Sequence, residues 1–413
     1  YSNDVQSGLI GIASLKTNSD TCPLYYTIDG GQTWEPSNIT SGTNDNPLSL
    51  IGLNGVVYNS VYGILYTTDG GQTWQPSNLG ATGYMNYVSL IETNGTIYGV
   101  AISYINNIGI YYTTDGGQTW KHSSLTYGVG PHPQAEANLC YTPVTLSTYN
   151  GIIYGTAIVQ QYLLSGGVMV DIFNTTDGGQ TWTTPQIPDY SQGIPIYVNY
   201  VSLFWNRGIL VTRSWTEEPD EGTGYEPITF RPPGILYTND GGQSWLQSNI
   251  TSGNELDINT VSLSQIGGHF FALVPTSFYN YDQGNGIYYS EDGGEIWTKS
   301  YTEYGMYANV VPYGSYLSGL NGIISGGSIS ENGSQVPDPE GLYYSIDGGK
   351  VWKVSNLPDG YYYSLVLSGL NGLAASNTDG YIYYTTEFGK TWTQSSTTLT
   401  SSSASIVSLQ LSS

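Results

Sequence analysis

Eight carboxylates stand five residues before eight tryptophans: Asp29, Asp69, Asp115, Asp177, Asp240, Asp292, Asp347 and Glu387 precede Trp34, Trp74, Trp120, Trp182, Trp245, Trp297, Trp352 and Trp392. A carboxyl group held against an apolar ring is how a catalytic acid acquires a raised pKa. Two carboxylates facing each other across a cleft can hydrolyse a glycosidic bond. A second acidic set, Glu217, Glu218, Asp220 and Glu221, crowds one segment and offers oxygen ligands to Ca²⁺. It lacks the spacing of a calcium loop, so a solvated acidic tip is the favoured reading, and no other cofactor is suggested. Cys22 and Cys140 are the only cysteines. A disulfide across that separation would stabilise the fold by about 4–5 kcal/mol in the chain-entropy picture; two unpaired thiols are the alternative. His122, His132 and Cys140 fit no zinc spacing.

The residues around the eight carboxylates argue for architecture over catalysis. In Ile64-Leu65-Tyr66-Thr67 a short β-branched and aromatic strand leads into Asp69-Gly70-Gly71. There glycine supplies φ > 0 and the Asp side chain accepts nearby amides. Thr73-Trp74 then opens a returning strand and offers a large ring for burial. The pattern Ser/Thr-x-Asp-x-Gly-x-Thr-Trp resembles the Asp box, the bacterial neuraminidase repeat of sialidases, sortilins and xyloglucanases. That resemblance implies a β-propeller whose box residues are structural and lie in outer turns, away from the central mouth. Boxes six and seven carry Ile296 and Val351 in place of Thr. The eighth has Glu387 and Phe388 for Asp and the first Gly, so a looser turn is expected there. Sialidases also grip a substrate carboxylate with three arginines from different blades. Arg207, Arg213 and Arg231 instead fall together between the fourth and fifth boxes.

The positioning elements repeat with the boxes. Leu48-Ser49-Leu50, Val88-Ser89-Leu90, Val144-Thr145-Leu146, Val201-Ser202-Leu203 and Val261-Ser262-Leu263 read as inner strands, with looser versions around Tyr316 and Val366. Asn54-Gly55, Asn94-Gly95, Asn150-Gly151, Asn206-Arg207-Gly208, Gly267-Gly268, Asn321-Gly322 and Asn371-Gly372 read as the tight hairpin turns that follow. Each unit is then four antiparallel strands, a propeller blade. The first box lacks an inner strand before it, whereas Ile406-Val407-Ser408-Leu409-Gln410-Leu411 has no box after it. The expected fold is therefore all-β: a single eight-bladed propeller over residues 1–413, its C-terminal strand completing blade one. A strand supplied by the chain's own end can also come from a neighbour, so closure between chains stays open.

The inner-strand entrances carry Asn46, Asn86, Asn199, Asn259 and Tyr363, a ring of amides and hydroxyls. It reads either as a ligand-binding mouth or as polar caps on strand starts. Composition excludes other classes. Nine basic against 32 acidic residues, for a net charge of −23, make a poor nucleic-acid binder and suit neither anionic membranes nor insertion, since no run approaches a spanning helix. Charged residues make up 10% of a chain rich in Tyr and Gly, which points to an extracellular or cell-surface protein, and the start at Tyr1 fits a processed or trimmed chain. N-glycosylation sequons stand at Asn38, Asn94, Asn174, Asn249 and Asn332, a number that chance also provides. The functional expectation is a non-catalytic structural or recognition protein. It would self-assemble into a surface layer or filament, or bind surface proteins or glycans. The alternative is a secreted glycoside hydrolase of sialidase-like architecture.

Overall fold

The structure, a computed structural model, describes residues 9–16, 23–40, 48–79, 85–103, 109–125, 144–162, 168–187, 197–213, 234–250, 261–276, 286–302, 310–328, 341–357, 362–376, 380–396 and 405–412. Among these there is no helix. The strands form eight antiparallel sheets arranged as the blades of a ring. In blade two the order from the axis outward is Leu48–Ile51, Asn54–Asn59, Gly63–Thr67 and Gln75–Pro76. The second strand is buried on nearly every residue, because adjacent blades cover both faces of each sheet. In blades one and two the outer strands are only two exposed residues long, Glu35–Pro36 and Gln75–Pro76, and each ends in a proline, which blunts an edge that would otherwise template pairing.

Blade one closes as its sequence requires. Ser405–Ser412 pairs antiparallel with Ile10–Lys16, setting Gly11 opposite Leu411 and Ala13 opposite Leu409, so the ring is completed within one chain. Blade four departs from the plan: its outer strand is reduced to reciprocal hydrogen bonds between Asn174 and Thr183, at 2.8 and 2.9 Å. In blade seven Tyr301–Thr302 adds a parallel strand outside Val351–Val354.

The core is distributed between blades. Eight apolar clusters each hold one box tryptophan with side chains of two neighbouring blades. Around Trp74, for example, Ile12, Leu24 and Ile39 of blade one meet Leu48, Val57 and Leu65 of blade two. Blade four is again the exception. Thr156 occupies the position held by Val56, Val100, Ile209 or Leu273 elsewhere, and its buried hydroxyl has no partner among the described residues.

The hairpins correct one expectation. Asn94-Gly95 and Asn150-Gly151 are two-residue turns with φ of 53° and 74°, and 52° and 77°. Gly267-Gly268 is likewise the turn of its hairpin. In blades two, seven and eight, however, the turns are Gly52-Leu53, Gly319-Leu320 and Gly369-Leu370, and the Asn-Gly pair already belongs to the second strand. Glycine serves close approach there. Gly55 lies opposite Thr67 of the box approach, and a Cβ on it would sit 3.1 Å from the Thr67 γ-methyl; at Gly155 the distance to Thr175 is 2.7 Å. Where Ser290 lacks that methyl, Ala272 takes the place of glycine.

Candidate functional site

The box turns are built from local hydrogen bonds. The Thr67 hydroxyl donates to Asp69 Oδ1 at 2.8 Å and accepts from the Gly71 amide at 3.0 Å. The Asp69 carboxylate accepts from the Thr73 amide at 2.9 Å and the Thr73 hydroxyl at 2.5 Å, and Trp74 Nε1 donates to the Gly71 carbonyl. Asp29, Asp115 and Asp177 repeat the arrangement, and Asp240 repeats its carboxylate bonds with Ser244 in place of Thr, although Trp245 Nε1 is buried without a hydrogen-bond partner among the described residues. Ile296 and Val351 offer no hydroxyl, so from that position Asp292 and Asp347 accept from the backbone amide alone. The longer Glu387 side chain accepts from the Thr391 hydroxyl at 2.9 Å, and Phe388 takes φ 47° where the other boxes have glycine. These carboxylates are engaged within their own turns.

This engagement has a pH signature. Burial pushes the carboxyls of Asp29, Asp69, Asp115, Asp177 and Asp240 up, but hydrogen bonds from the Thr or Ser hydroxyls and backbone amides outweigh it and hold each below its ordinary value. A carboxyl whose folded pKa is depressed contributes stability above its unfolded pKa, about 3.9, and loses it as pH falls through the folded value. The melting temperature is therefore expected to show no box-dependent loss from pH 7 to 5 and a decline below about pH 4. Thermal unfolding monitored by circular dichroism checks this. An Asp69→Asn variant with an unreduced acid slope would refute the assignment.

Two further sets of polar residues tie the blades together. Asn38 Nδ2 donates to the Trp74 carbonyl at 3.0 Å while Asn38 Oδ1 accepts from the Trp74 amide at 2.8 Å. Asn78 with Trp120, Asn249 with Trp297 and Asn356 with Trp392 do the same. Each amide side chain thus mimics a strand and latches one blade to the next. Inner-strand serines add a second tie: Ser49, Ser89 and Ser364 accept from the amides of Leu90, Leu146 and Leu409 in the following blade, and Ser412 accepts from Gly52. The repeated Asn four residues after the box tryptophan was the available signal for the first set, and Ser in the Val-Ser-Leu inner strands for the second.

The sequon expectation changes accordingly. Nδ2 of Asn38 and of Asn249, the atom a glycan would occupy, is committed to a neighbouring blade. Asn174 is buried and accepts from the Thr183 hydroxyl. Asn94 is exposed in its turn, and Asn332 lies outside the described residues. Cys22, Cys140, Glu217, Glu218, Asp220, Glu221, Arg231, Asn46 and Asn259 also lie outside them, as do the side chains of Asn86, Asn199, Tyr363 and Arg213. The backbone does place Asn86, Asn199 and Tyr363 equivalently, at register shifts of three inner strands. Beside the second of these, burial and the neighbouring Tyr87 and Tyr316 push the Tyr200 hydroxyl up to about 12.

The face bearing the boxes also bears the turns between inner and second strands, because both connections lie at the same end of the antiparallel sheets. Exposed aliphatic side chains recur on it from blade to blade. Ile28, Leu53, Ile152, Ile266, Ile296, Ile346 and Leu370, from six blades, are 43–57% exposed. Blade five adds aromatic rings: Trp205 stacks with Tyr149 of blade four at 5.3 Å between centroids and meets Phe270 of blade six edge-on at 5.7 Å. Arg207 lies over the same Phe270 ring, 5.3 Å from its centre. Reading the sequence for catalytic carboxylates missed this face.

Comparison with known proteins agrees with the repeat. The BNR/Asp-box repeat family matches residues 25–36, 65–76 and 111–122, the first three boxes. A search of curated proteins finds no match. Similar solved structures include YCF48 bound to D1 peptide, 19% identical over 80% of this chain and 89% of that one, with a TM-score of 0.44. A GH74 xyloglucanase from Xanthomonas campestris is 13% identical over 92% and 69%, with a TM-score of 0.27. The computationally designed Ika8 protein is 8% identical over 92% and 94%, with a TM-score of 0.47.

Proposed function

We propose that this chain, an eight-bladed propeller built on BNR/Asp-box repeats, is a non-catalytic structural or recognition protein of the cell surface or extracellular space. Its partners are further copies of itself or surface proteins and glycans, and it docks through the face that carries the boxes. The observation that carries the reading is the series of exposed aliphatic side chains on that face, led by Ile28, Ile296 and Leu370. Exposed apolar residues scattered singly are ordinary, but their recurrence from blade to blade on one face marks an interaction surface. The box carboxylates, being bound within their own turns, support the non-catalytic part of the reading.

Sedimentation velocity and negative-stain microscopy across a range of protein concentrations test it. The wild type is expected to associate, and an Ile266→Glu/Leu370→Glu double variant to remain monomeric with an unchanged melting temperature. Both side chains are about half exposed, so the substitutions leave the core intact. A wild type that stays monomeric at all concentrations would overturn self-association. Equal association of the double variant would overturn the assigned face.

A further inference from the structure

Blade five breaks the repeat at its inner hairpin. Three blades read Gly52-Leu53-Asn54-Gly55, Gly319-Leu320-Asn321-Gly322 and Gly369-Leu370-Asn371-Gly372, whereas blade five reads Trp205-Asn206-Arg207-Gly208. The registers superpose: Leu50 lies opposite Gly55, Leu317 opposite Gly322, Leu367 opposite Gly372 and Leu203 opposite Gly208. Trp205 therefore occupies the first turn position, which the other three give to glycine at φ of 53°, 62° and 60°, and it adopts φ 57° there. A bulky side chain in the left-handed region is strained, and such strain persists where the surroundings hold it in place, often at a site of function. Tyr149, Phe204 and Phe270 hold this one.

The second departure is Arg207, where those three blades have Asn. In a chain of net charge −23 with three arginines, this guanidinium has no carboxylate within ion-pair distance among the described residues. Its stem packs on Gly293 of the sixth box, its charge lies over the Phe270 ring, and its Nε is buried without a hydrogen-bond partner. An unpaired arginine beside half-buried aromatic rings offers charge-assisted, forked hydrogen bonds to a carboxylate and apolar contact to the body that carries it.

We propose that Trp205, Arg207 and Phe270, with Tyr149 behind Trp205, form a binding site for a six-membered ring bearing one carboxylate. Arg207 takes the carboxylate and the aromatic rings take the ring. A hexuronic acid at the end of a glycan and an aromatic acid share this chemistry. The single cation and the surrounding negative charge select against ligands of high charge. The site and the docking reading are separable, because neither Ile266 nor Leu370 belongs to it.

Calorimetric titration of the full chain with methyl glucuronide, benzoate and the uncharged methyl glucoside tests the proposal. One of the two carboxylates is expected to bind, identifying the source, and methyl glucoside to bind at least tenfold more weakly. Arg207→Gln is expected to weaken binding at least tenfold. Trp205→Gly restores the residue of the other three blades, so it is expected to lose binding while the melting temperature holds or rises. The absence of binding by both carboxylates up to 10 mM (about the weakest affinity of interest) would overturn the site. So would binding that both variants leave unchanged.

Discussion

Truncation after Ala404 is expected to abolish cooperative folding. The removed strand Ser405–Ser412 carries Ile406, Leu409 and Leu411, all buried in the cluster that joins blades eight and one around Trp34. Burying such side chains contributes about 1.5–3 kcal/mol each. Three of them amount to a large part of the roughly 5–15 kcal/mol that keeps a domain folded. Removal also strips the hydrogen bonds that Ile10–Lys16 makes along its inner edge, and Ser412 no longer accepts from Gly52 of blade two. The exposed edge then invites pairing between molecules. The truncated chain should be recovered as aggregate or as a species lacking a thermal transition, and a synthetic peptide of residues 405–412 added during refolding should restore the transition. A truncated chain that melts cooperatively at the wild-type temperature would show that the ring does not depend on this closure.

Gly117→Ala is expected to destabilise the protein by about 3–4 kcal/mol, and Gly116→Ala by about 1–2 kcal/mol. Both glycines belong to the third box and have positive φ, 75° at Gly116 and 95° at Gly117. Left-handed strain is therefore common to both substitutions. They differ in what a Cβ would meet. At Gly116 the nearest atom is 3.7 Å away, whereas at Gly117 the Cγ1 of Val56 lies 2.2 Å away and Val56 is fully buried in blade two. The difference between the two variants thus isolates the packing of one box against the preceding blade. Urea unfolding measures it, and equal losses would place the cost in the turn itself.

The box turns and the number of blades were legible because their causes are local. Thr67, Asp69, Gly71, Thr73 and Trp74 bond to one another across at most four residues, so each copy of the phrase carries its own instructions. Closure was legible by counting, since one inner strand was missing at the front and one was spare at the back. The Asn-Gly turns were half legible. The same dipeptide supplies positive φ at Asn94-Gly95 and close approach to a Thr methyl at Gly55, and only the partner strand distinguishes the two uses.

What the sequence determined by itself is the repeat, its strand order and its ring, because turn chemistry and alternation act between near neighbours along the chain. Only the tertiary structure decided that Asn38 latches onto Trp74 thirty-six residues away, that inner-strand serines bridge successive blades, and that Trp205, Arg207, Tyr149 and Phe270 of three blades share one surface. These pairings depend on how one sheet lies against the next, and that geometry is set by burial between blades and not by the residues adjacent in the chain.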